Sequence, residues 1–159
     1  MKRYSAKQMI QQYGTPDAAI NAALEILRKQ MRQRGAALSS PSAVRDYLRL
    51  NLATLEHEAF WCVWLDAQNR VISAEENFRG TLCQTSVYPR EILKKGLLFN
   101  AGAVIFAHNH PSGIAEPSHA DECLTQTLKQ ALALVDIRVL DHFIIGHDSV
   151  MSFAEKGLI

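Results

Sequence analysis

Apolar residues recur at helical spacing in two segments of the N-terminal third of the chain. The first segment follows Thr15 and Pro16, a cap residue and a proline that suit the start of a helix, and Gly35 marks its end. A second helix is predicted from Ser40-Pro41-Ser42 onward. The apolar stripes comprise Ile20, Ala23, Leu24, Leu27 and Met31 in the first helix, and Val44, Tyr47, Leu48, Leu50 and Leu52 in the second.

The pattern changes from Glu58 onward to short apolar runs that are typical of strands. The first two runs are separated by a polar turn, which predicts a hairpin. The third is apolar throughout, as expected of a central strand that is buried on both faces. The predicted strands are AFWCVWLD at 59–66, VISAEENF at 71–78, AGAVIFAH at 101–108, IRVLDHFIIG at 137–146 and SVMSF at 149–153.

Two further helices are predicted between these strands, one starting at Tyr88-Pro89 and one at Ser118. Strands and helices therefore alternate along the chain. This order predicts an α/β domain in which helices flank a mixed β-sheet.

Composition limits the classes of protein to consider. The 159 residues are 48% hydrophobic and 21% charged, which fits one soluble globular domain. No apolar run reaches the roughly 20 residues that span a bilayer, and no apolar signal segment follows the basic start, so we expect no membrane partner. Cys62, Cys83 and Cys123 form no CxxC pair, which favours a reducing cytoplasm.

Charge is distributed unevenly along the chain. Residues 1–49 contain nine Lys or Arg against three Asp or Glu, a net charge of +6, whereas the remainder has a net charge of −5. A basic segment can contact nucleic acid, but the same charges suit the solvated face of an amphipathic helix. The charge pattern leaves both interpretations open.

The candidate chemistry lies in AHNHPSGIAEPSHADE, residues 107–122. Side chains alternate along a strand, so His108 and His110 project to the same side and Asn109 to the opposite side. Asp121, in the first turn of the next helix, could return as a third ligand. Two histidines and one carboxylate leave a fourth zinc position for water, which is the arrangement of a catalytic site. Zinc would lower the pKa of that water to about 7.

A structural interpretation of part of this stretch is also available. Ser118 and Asp121 have the spacing of a capping box, with Asp in the place of the usual Glu. In strand 137–146, Asp141 and His142 could support a metal-bound histidine from behind, since such histidines usually donate their other N–H to a neighbouring acceptor. His142 could equally be a buried histidine of the core.

The complete pattern resembles a known family. His108-Asn109-His110-Pro111, six residues, Ser118, two residues and Asp121 are similar to the H-x-H-P-x6-S-x2-D motif of the JAMM (JAB/MPN+) metalloproteases. The flanking stretches YPREI, AHNHPSG, LDH and SFAEKG resemble the bacterial RadC-like branch. The resemblance implies a JAB/MPN, cytidine-deaminase-like domain over residues 37–159, preceded by a helical extension over 1–36.

The same resemblance implies a role for each motif residue. One zinc ion per chain would be held by His108, His110 and Asp121, and Ser118 would help to stabilise a tetrahedral intermediate. An upstream glutamate would act as general base, and Glu75 and Glu76 are both candidates. RadC-like sequences place this glutamate five residues before the glycine of a Phe-x-Gly turn, here Phe78-Arg79-Gly80, which favours Glu75.

The resemblance therefore implies a zinc-dependent metallopeptidase or isopeptidase that acts on a peptide or protein. The alternatives are a nucleic-acid-associated module, linked to DNA repair, and a scaffold without catalysis. Longer RadC-like chains carry a helix-hairpin-helix segment with a glycine-rich hairpin. Residues 1–36 have no such glycine pair, which weakens the nucleic-acid hypothesis.

Overall fold

A computed structural model describes residues 11–12, 14–32, 41–81 and 86–159. In these ranges, helices α1 (Pro16–Arg32) and α2 (Pro41–Leu52) precede strands β1 (Ala59–Leu65) and β2 (Val71–Arg79). Helix α3 (Pro89–Leu98), strand β3 (Ala103–Asn109) and helix α4 (His119–Ala133) follow, and β4 (Arg138–Ile145) and β5 (Val150–Ser152) end the series. The predicted elements are confirmed in type and order. Gly35, Ser40 and Cys83 lie outside the described residues.

The strands form one mixed sheet in the order β2-β1-β3-β4-β5. Strand β1 is antiparallel to both β2 and β3, and β3 is parallel to β4. The β1–β2 hairpin closes through Asp66, whose Oδ1 accepts from the backbone N–H groups of Gln68 and Arg70, each at 2.9 Å. The hairpin prediction is therefore correct, and it places β2 at the edge of the sheet.

Helices cover both faces of this sheet. On one face, α2 buries its apolar side chains against Val63, Ile105 and their neighbours. On the other, α3 and α4 pack through Ile92, Leu128 and neighbouring residues. Every residue of β3 is buried, as predicted for a central strand. The α/β class with a mixed sheet flanked by helices is thus confirmed.

Two residues of the predicted apolar stripes are exposed. In α1, Ile20 is 41% exposed, and the buried residue at this level is Ala19. In α2, Leu50 is 38% exposed, because two residues after the buried Leu48 correspond to about 200° of helical rotation. Helical spacing of apolar residues therefore does not determine by itself which of them are buried.

Helix α3 approaches the sheet closely at Gly96, which is buried. A Cβ at this position would lie 2.7 Å from Ile137 Cδ1 and 3.2 Å from Trp64 Cζ3. The neighbouring Lys95 reaches β2, where its Nζ lies 2.7 Å from Glu75 Oε1. The glycine therefore sets the position of a helix that contacts a candidate catalytic residue.

Gly96→Ala is expected to lower the free energy of unfolding by about 1 kcal/mol. Overpacking a core costs about 1–3 kcal/mol, and the better helix propensity of alanine offsets about 1 kcal/mol. Urea denaturation measures the change. Ile137→Val removes the Cδ1 atom in contact, so the double variant should lose less stability than the sum of the two single variants. A stabilised Gly96→Ala protein would contradict the close packing.

Candidate metal centre

The two histidines project from the end of β3 towards the same place. His108 is 2% exposed within the strand. The backbone N–H of His110 donates to the Ile145 carbonyl at 3.0 Å, which keeps the chain alongside β4 just beyond the strand end. As a result the Nε2 atoms of His108 and His110 lie 2.9 Å apart. The prediction that both imidazoles share one side is confirmed.

Asn109, between the two histidines, has a structural role. Its Oδ1 accepts from the backbone N–H of Ala59 at 2.8 Å, and its Nδ2 donates to the His57 carbonyl at 2.9 Å. These bonds join the end of β3 to the start of β1. The amide is therefore not part of the histidine cluster.

The loop after β3 orients the ring of His110. Its Nδ1 lies 2.9 Å from the Ile114 carbonyl oxygen. A carbonyl only accepts, so Nδ1 carries the hydrogen and Nε2 of the neutral ring has a free lone pair. Hydrogen bonding to Asp121 raises the pKa of His110, with the Ile114 carbonyl contributing in the same direction against the effect of burial.

Asp121 lies in the first turn of α4. Ser118 is the N-cap, and its Oγ accepts from the Asp121 backbone N–H at 3.2 Å. The Asp121 Oδ2 accepts in return from the Ser118 N–H at 2.8 Å and from its hydroxyl at 2.7 Å. The capping box is therefore present, and it fixes the orientation of the carboxylate.

The same carboxylate faces both histidines. Asp121 Oδ1 is 3.3 Å from His108 Nε2, and Oδ2 is 3.6 Å from His110 Nε2. Burial opposes ionisation of Asp121, but the adjacent rings of His108 and His110 and the hydrogen bonds from Ser118 outweigh it and hold the pKa of Asp121 well below its usual range. The capping and metal-binding interpretations are thus compatible, because the carboxylate that caps α4 also faces both imidazoles.

These three side chains are positioned to hold a metal ion. One ligand atom from each of His108, His110 and Asp121 lies within 4.8 Å of the others. Zinc–ligand bonds of about 2.0–2.1 Å in a tetrahedral site imply ligand atoms about 3.3 Å apart, and the separations here are 2.9–3.6 Å. Two imidazole nitrogens and one carboxylate are also a suitable donor set for zinc.

His142 lies directly behind His108 on the neighbouring strand β4. It is fully buried, and its Nε2 is 2.8 Å from His108 Nδ1. Its Nδ1 is 2.6 Å from Thr125 Oγ1 on α4. Burial lowers the pKa of His142 well below its ordinary value, which keeps the ring neutral near pH 7.

The expected pairing of Asp141 with His142 behind the metal ligand needs correction. The Asp141 carboxylate accepts from Ser152 Oγ at 2.6 Å and from the Ala154 N–H at 3.0 Å. It also accepts from the backbone N–H of His142, but it does not bond the imidazole. Adjacent strand residues face opposite sides, so only one of this pair could reach His108.

Sequence reasoning missed Thr125. It is fully buried, although it is polar and lies among the apolar residues of α4. It is also four residues after Asp121, which places it on the same side of the helix. These two features were the signal that could have identified it.

Strand register separates the two candidate glutamates. Glu75 pairs with Cys62, which pairs with Phe106 two residues before His108. Glu75 and His108 therefore lie on the same face of the sheet, since directly paired residues and residues two apart share a face. Glu76 pairs with Trp61 and lies on the opposite face, where its carboxylate is 3.0 Å from Arg79 Nε.

His119, although close in sequence, is separate from the cluster. It is exposed, and its Nδ1 lies 3.6 Å from the exposed Cys123 Sγ. It is therefore not one of the side chains that converge on the cluster. Within the described part of the chain, no helix is long and apolar enough to cross a membrane.

Comparison with known proteins identifies the family. Residues 38–158 match the RadC-like JAB domain. A UPF0758 protein of Leptothrix cholodnii is 61% identical over 144 residues, which are 88% of this chain and 64% of that relative. A UPF0758 protein of Thiobacillus denitrificans is 63% identical over 143 residues, again 88% of this chain and 64% of the relative. The chain thus spans somewhat less than two thirds of these relatives, and it belongs to the RadC-like JAB domain family.

Proposed function

We propose that the chain is a zinc-dependent hydrolase that cleaves peptide or isopeptide bonds. The observation that carries this proposal is the convergence of His108, His110 and Asp121, with a glutamate on the same face of the sheet. Three protein ligands leave one zinc position for water or substrate, as in catalytic rather than structural sites. Family membership supports the same class of reaction without naming a substrate.

His108, His110 and Asp121 would hold the metal in this proposal. When bound, zinc supplies Lewis acidity, which allows water to ionise near neutral pH and polarises a carbonyl group. The capping box of Ser118 keeps the Asp121 carboxylate directed at the two imidazoles.

Glu75 is the proposed general base. Amide hydrolysis requires that water lose a proton and that the leaving amine gain one. Adjacent strands are about 4.8 Å apart, so the β2 backbone lies about 10 Å from β3 across β1, and the Glu75 and His108 side chains project from the same face of the sheet. Lys95 Nζ, 2.7 Å from Glu75 Oε1, restricts the orientation of the carboxylate.

Ser118 has two roles in this proposal. Its hydroxyl donates to Asp121 Oδ2 at 2.7 Å, so it positions a metal ligand. To stabilise a tetrahedral intermediate, the hydroxyl would have to rotate and donate to the developing oxyanion.

The proposed substrate is a peptide or protein. For the nucleic-acid alternative, the basic segment includes residues 1–10 and 33–40, which lie outside the described ranges, and no described contact favours it.

Metal removal and restoration test the proposal. Protein prepared without added metal should contain about one equivalent of zinc. Chelation should abolish cleavage of a mixed peptide pool, as read by mass spectrometry of new termini, and added zinc should restore it. His110→Ala should lose both zinc and cleavage, whereas His147→Ala, which changes an exposed histidine, should keep both. Cleavage that persists without metal would contradict the proposal.

A further inference from the structure

We infer that Thr125 and His142 are positioning residues that determine which nitrogen of His108 carries its proton, and so keep Nε2 available for a cation. This inference rests on the proposed metal centre, because it concerns how one of its ligands is prepared. Both residues are fully buried. They act through His108.

A chain of three hydrogen bonds carries the inference. Thr125 Oγ1 lies 2.6 Å from the Asp121 backbone carbonyl oxygen and 2.6 Å from His142 Nδ1. His142 Nε2 lies 2.8 Å from His108 Nδ1. The chain therefore begins at the backbone of one proposed metal ligand and ends at the ring of another.

The direction of all three hydrogen bonds follows from the first of them, in which Thr125 meets the Asp121 backbone carbonyl. A carbonyl oxygen has no hydrogen, so the Thr125 hydroxyl must donate to Asp121 and can only accept from His142. The neutral His142 ring then carries its proton on Nδ1 and presents a bare Nε2. That nitrogen must accept from Nδ1–H of His108, which leaves the lone pair of His108 on Nε2. This lone pair lies 2.9 Å from the bare Nε2 of His110, an arrangement that a cation between the two nitrogens stabilises.

Burial excludes water as an alternative hydrogen-bond partner for these three side chains. Thr125 and His142 are fully buried and His108 is 2% exposed, so water does not compete for these donors and acceptors. The ring of His142 is stacked on Phe153 at 4.8 Å and meets Phe60 edge-on at 5.6 Å, between ring centroids. An imidazole enclosed in this way cannot exchange its protein partners for solvent, and a mismatched tautomer would leave a buried polar group unpaired.

The series of hydrogen bonds also predicts the effect of losing the Thr125 hydroxyl. A valine at position 125 cannot accept from His142 Nδ1–H. The other tautomer of His142 avoids this unpaired donor, but its Nε2–H must then donate to His108 Nδ1. His108 would carry its own proton on Nε2, at the position where the metal binds. Thr125 therefore determines which nitrogen of His108 is protonated without contacting His108.

The test compares Thr125→Val with Thr125→Ser, which removes the methyl group but keeps the hydroxyl. Zinc affinity is measured by competition with a chromophoric chelator, and thermal unfolding of metal-free protein is measured in parallel. Loss of a partner behind a metal ligand typically costs 10–100-fold in affinity, so Thr125→Val should weaken zinc binding by about this factor. Thr125→Ser should stay within a few-fold of wild type.

A second measurement reports the tautomers directly. Long-range ¹H–¹⁵N spectra of the imidazoles, recorded on metal-free protein at alkaline pH, should show a protonated Nδ1 and a bare Nε2 for both His108 and His142. In Thr125→Val, both rings should instead carry the proton on Nε2 and have a bare Nδ1. If this variant does not fold, Thr125→Ala removes the same hydroxyl with no branched side chain to accommodate.

The outcomes separate this inference from the proposed function. Unchanged zinc affinity in Thr125→Val, or a loss of thermal stability alone, would overturn the inference and leave the metal centre intact. A wild-type protein that binds no zinc would refute the proposed function, while the imidazole spectra would still decide the tautomers. A wild-type His108 with its proton on Nε2 would overturn the inference regardless of metal.

Discussion

Glu75→Gln is expected to retain zinc and to lose hydrolysis by about 10²–10⁴-fold, the usual contribution of general acid–base catalysis. Glutamine has nearly the shape of glutamate but cannot take a proton from water. Because Glu75 lies outside the ligand cluster, zinc content should not change. The measurement is the rate of peptide cleavage, normalised to zinc content, with zinc affinity determined on the same preparation.

Glu76→Gln is the matched control for this experiment. It makes the same substitution one residue along β2, but on the opposite face of the sheet, where Glu76 pairs with Arg79. An exposed ion pair of this kind contributes little to stability, so both activity and folding should stay close to wild type. If Glu76→Gln abolishes cleavage and Glu75→Gln does not, the assignment of the base is wrong.

The separation of these two glutamates could not be obtained from periodicity. Alternation along β2 predicts that they face opposite sides, but it does not say which side His108 occupies. That assignment requires the register of β2 on β1 and of β1 on β3. The register also shifts between Phe60 and Trp61, an irregularity of the kind that exchanges faces and that no spacing rule anticipates. From the sequence alone, only the resemblance to RadC-like proteins favoured Glu75 over Glu76.

The histidine pair was predictable for a physical reason. His108 and His110 are separated by one residue at a strand end, so the period of two determines their common side whatever the rest of the fold does. Asp121 needed one further condition, that the loop after Pro111 return the first turn of α4 to the strand end. The spacing from His110 permits this without requiring it.

The contact between Thr125 and His142 depends instead on how α4 packs against β4. These residues are 17 positions apart, and their hydrogen bond at 2.6 Å arises from tertiary packing between two elements. A buried threonine in a helix has several structural explanations, including a hydroxyl bond to the carbonyl four residues earlier, which Thr125 also makes. The sequence could indicate an unusual residue there but could not identify its partner.

Asp121→Asn is expected to lower zinc affinity by more than 100-fold, beyond the range typical of residues that only support a ligand. The amide oxygen can take the place of Oδ2 and still accept from the Ser118 N–H and hydroxyl. The amide nitrogen then takes the place of Oδ1, 3.3 Å from His108 Nε2, and donates to the lone pair that the metal requires. The substitution therefore preserves the cap while it removes a negative ligand and blocks a second one.

Ser118→Ala should have the opposite balance of effects. Loss of an N-cap serine costs about 0.5–2 kcal/mol of stability, whereas the Asp121 carboxylate and both imidazoles remain available to the metal. Zinc affinity should fall by about 10-fold, as expected when a partner of a ligating carboxylate is lost. Chelator competition and urea denaturation of metal-free protein, applied to both variants, give the comparison. If Asp121→Asn keeps zinc and loses stability instead, the carboxylate serves the helix cap alone and is not a zinc ligand.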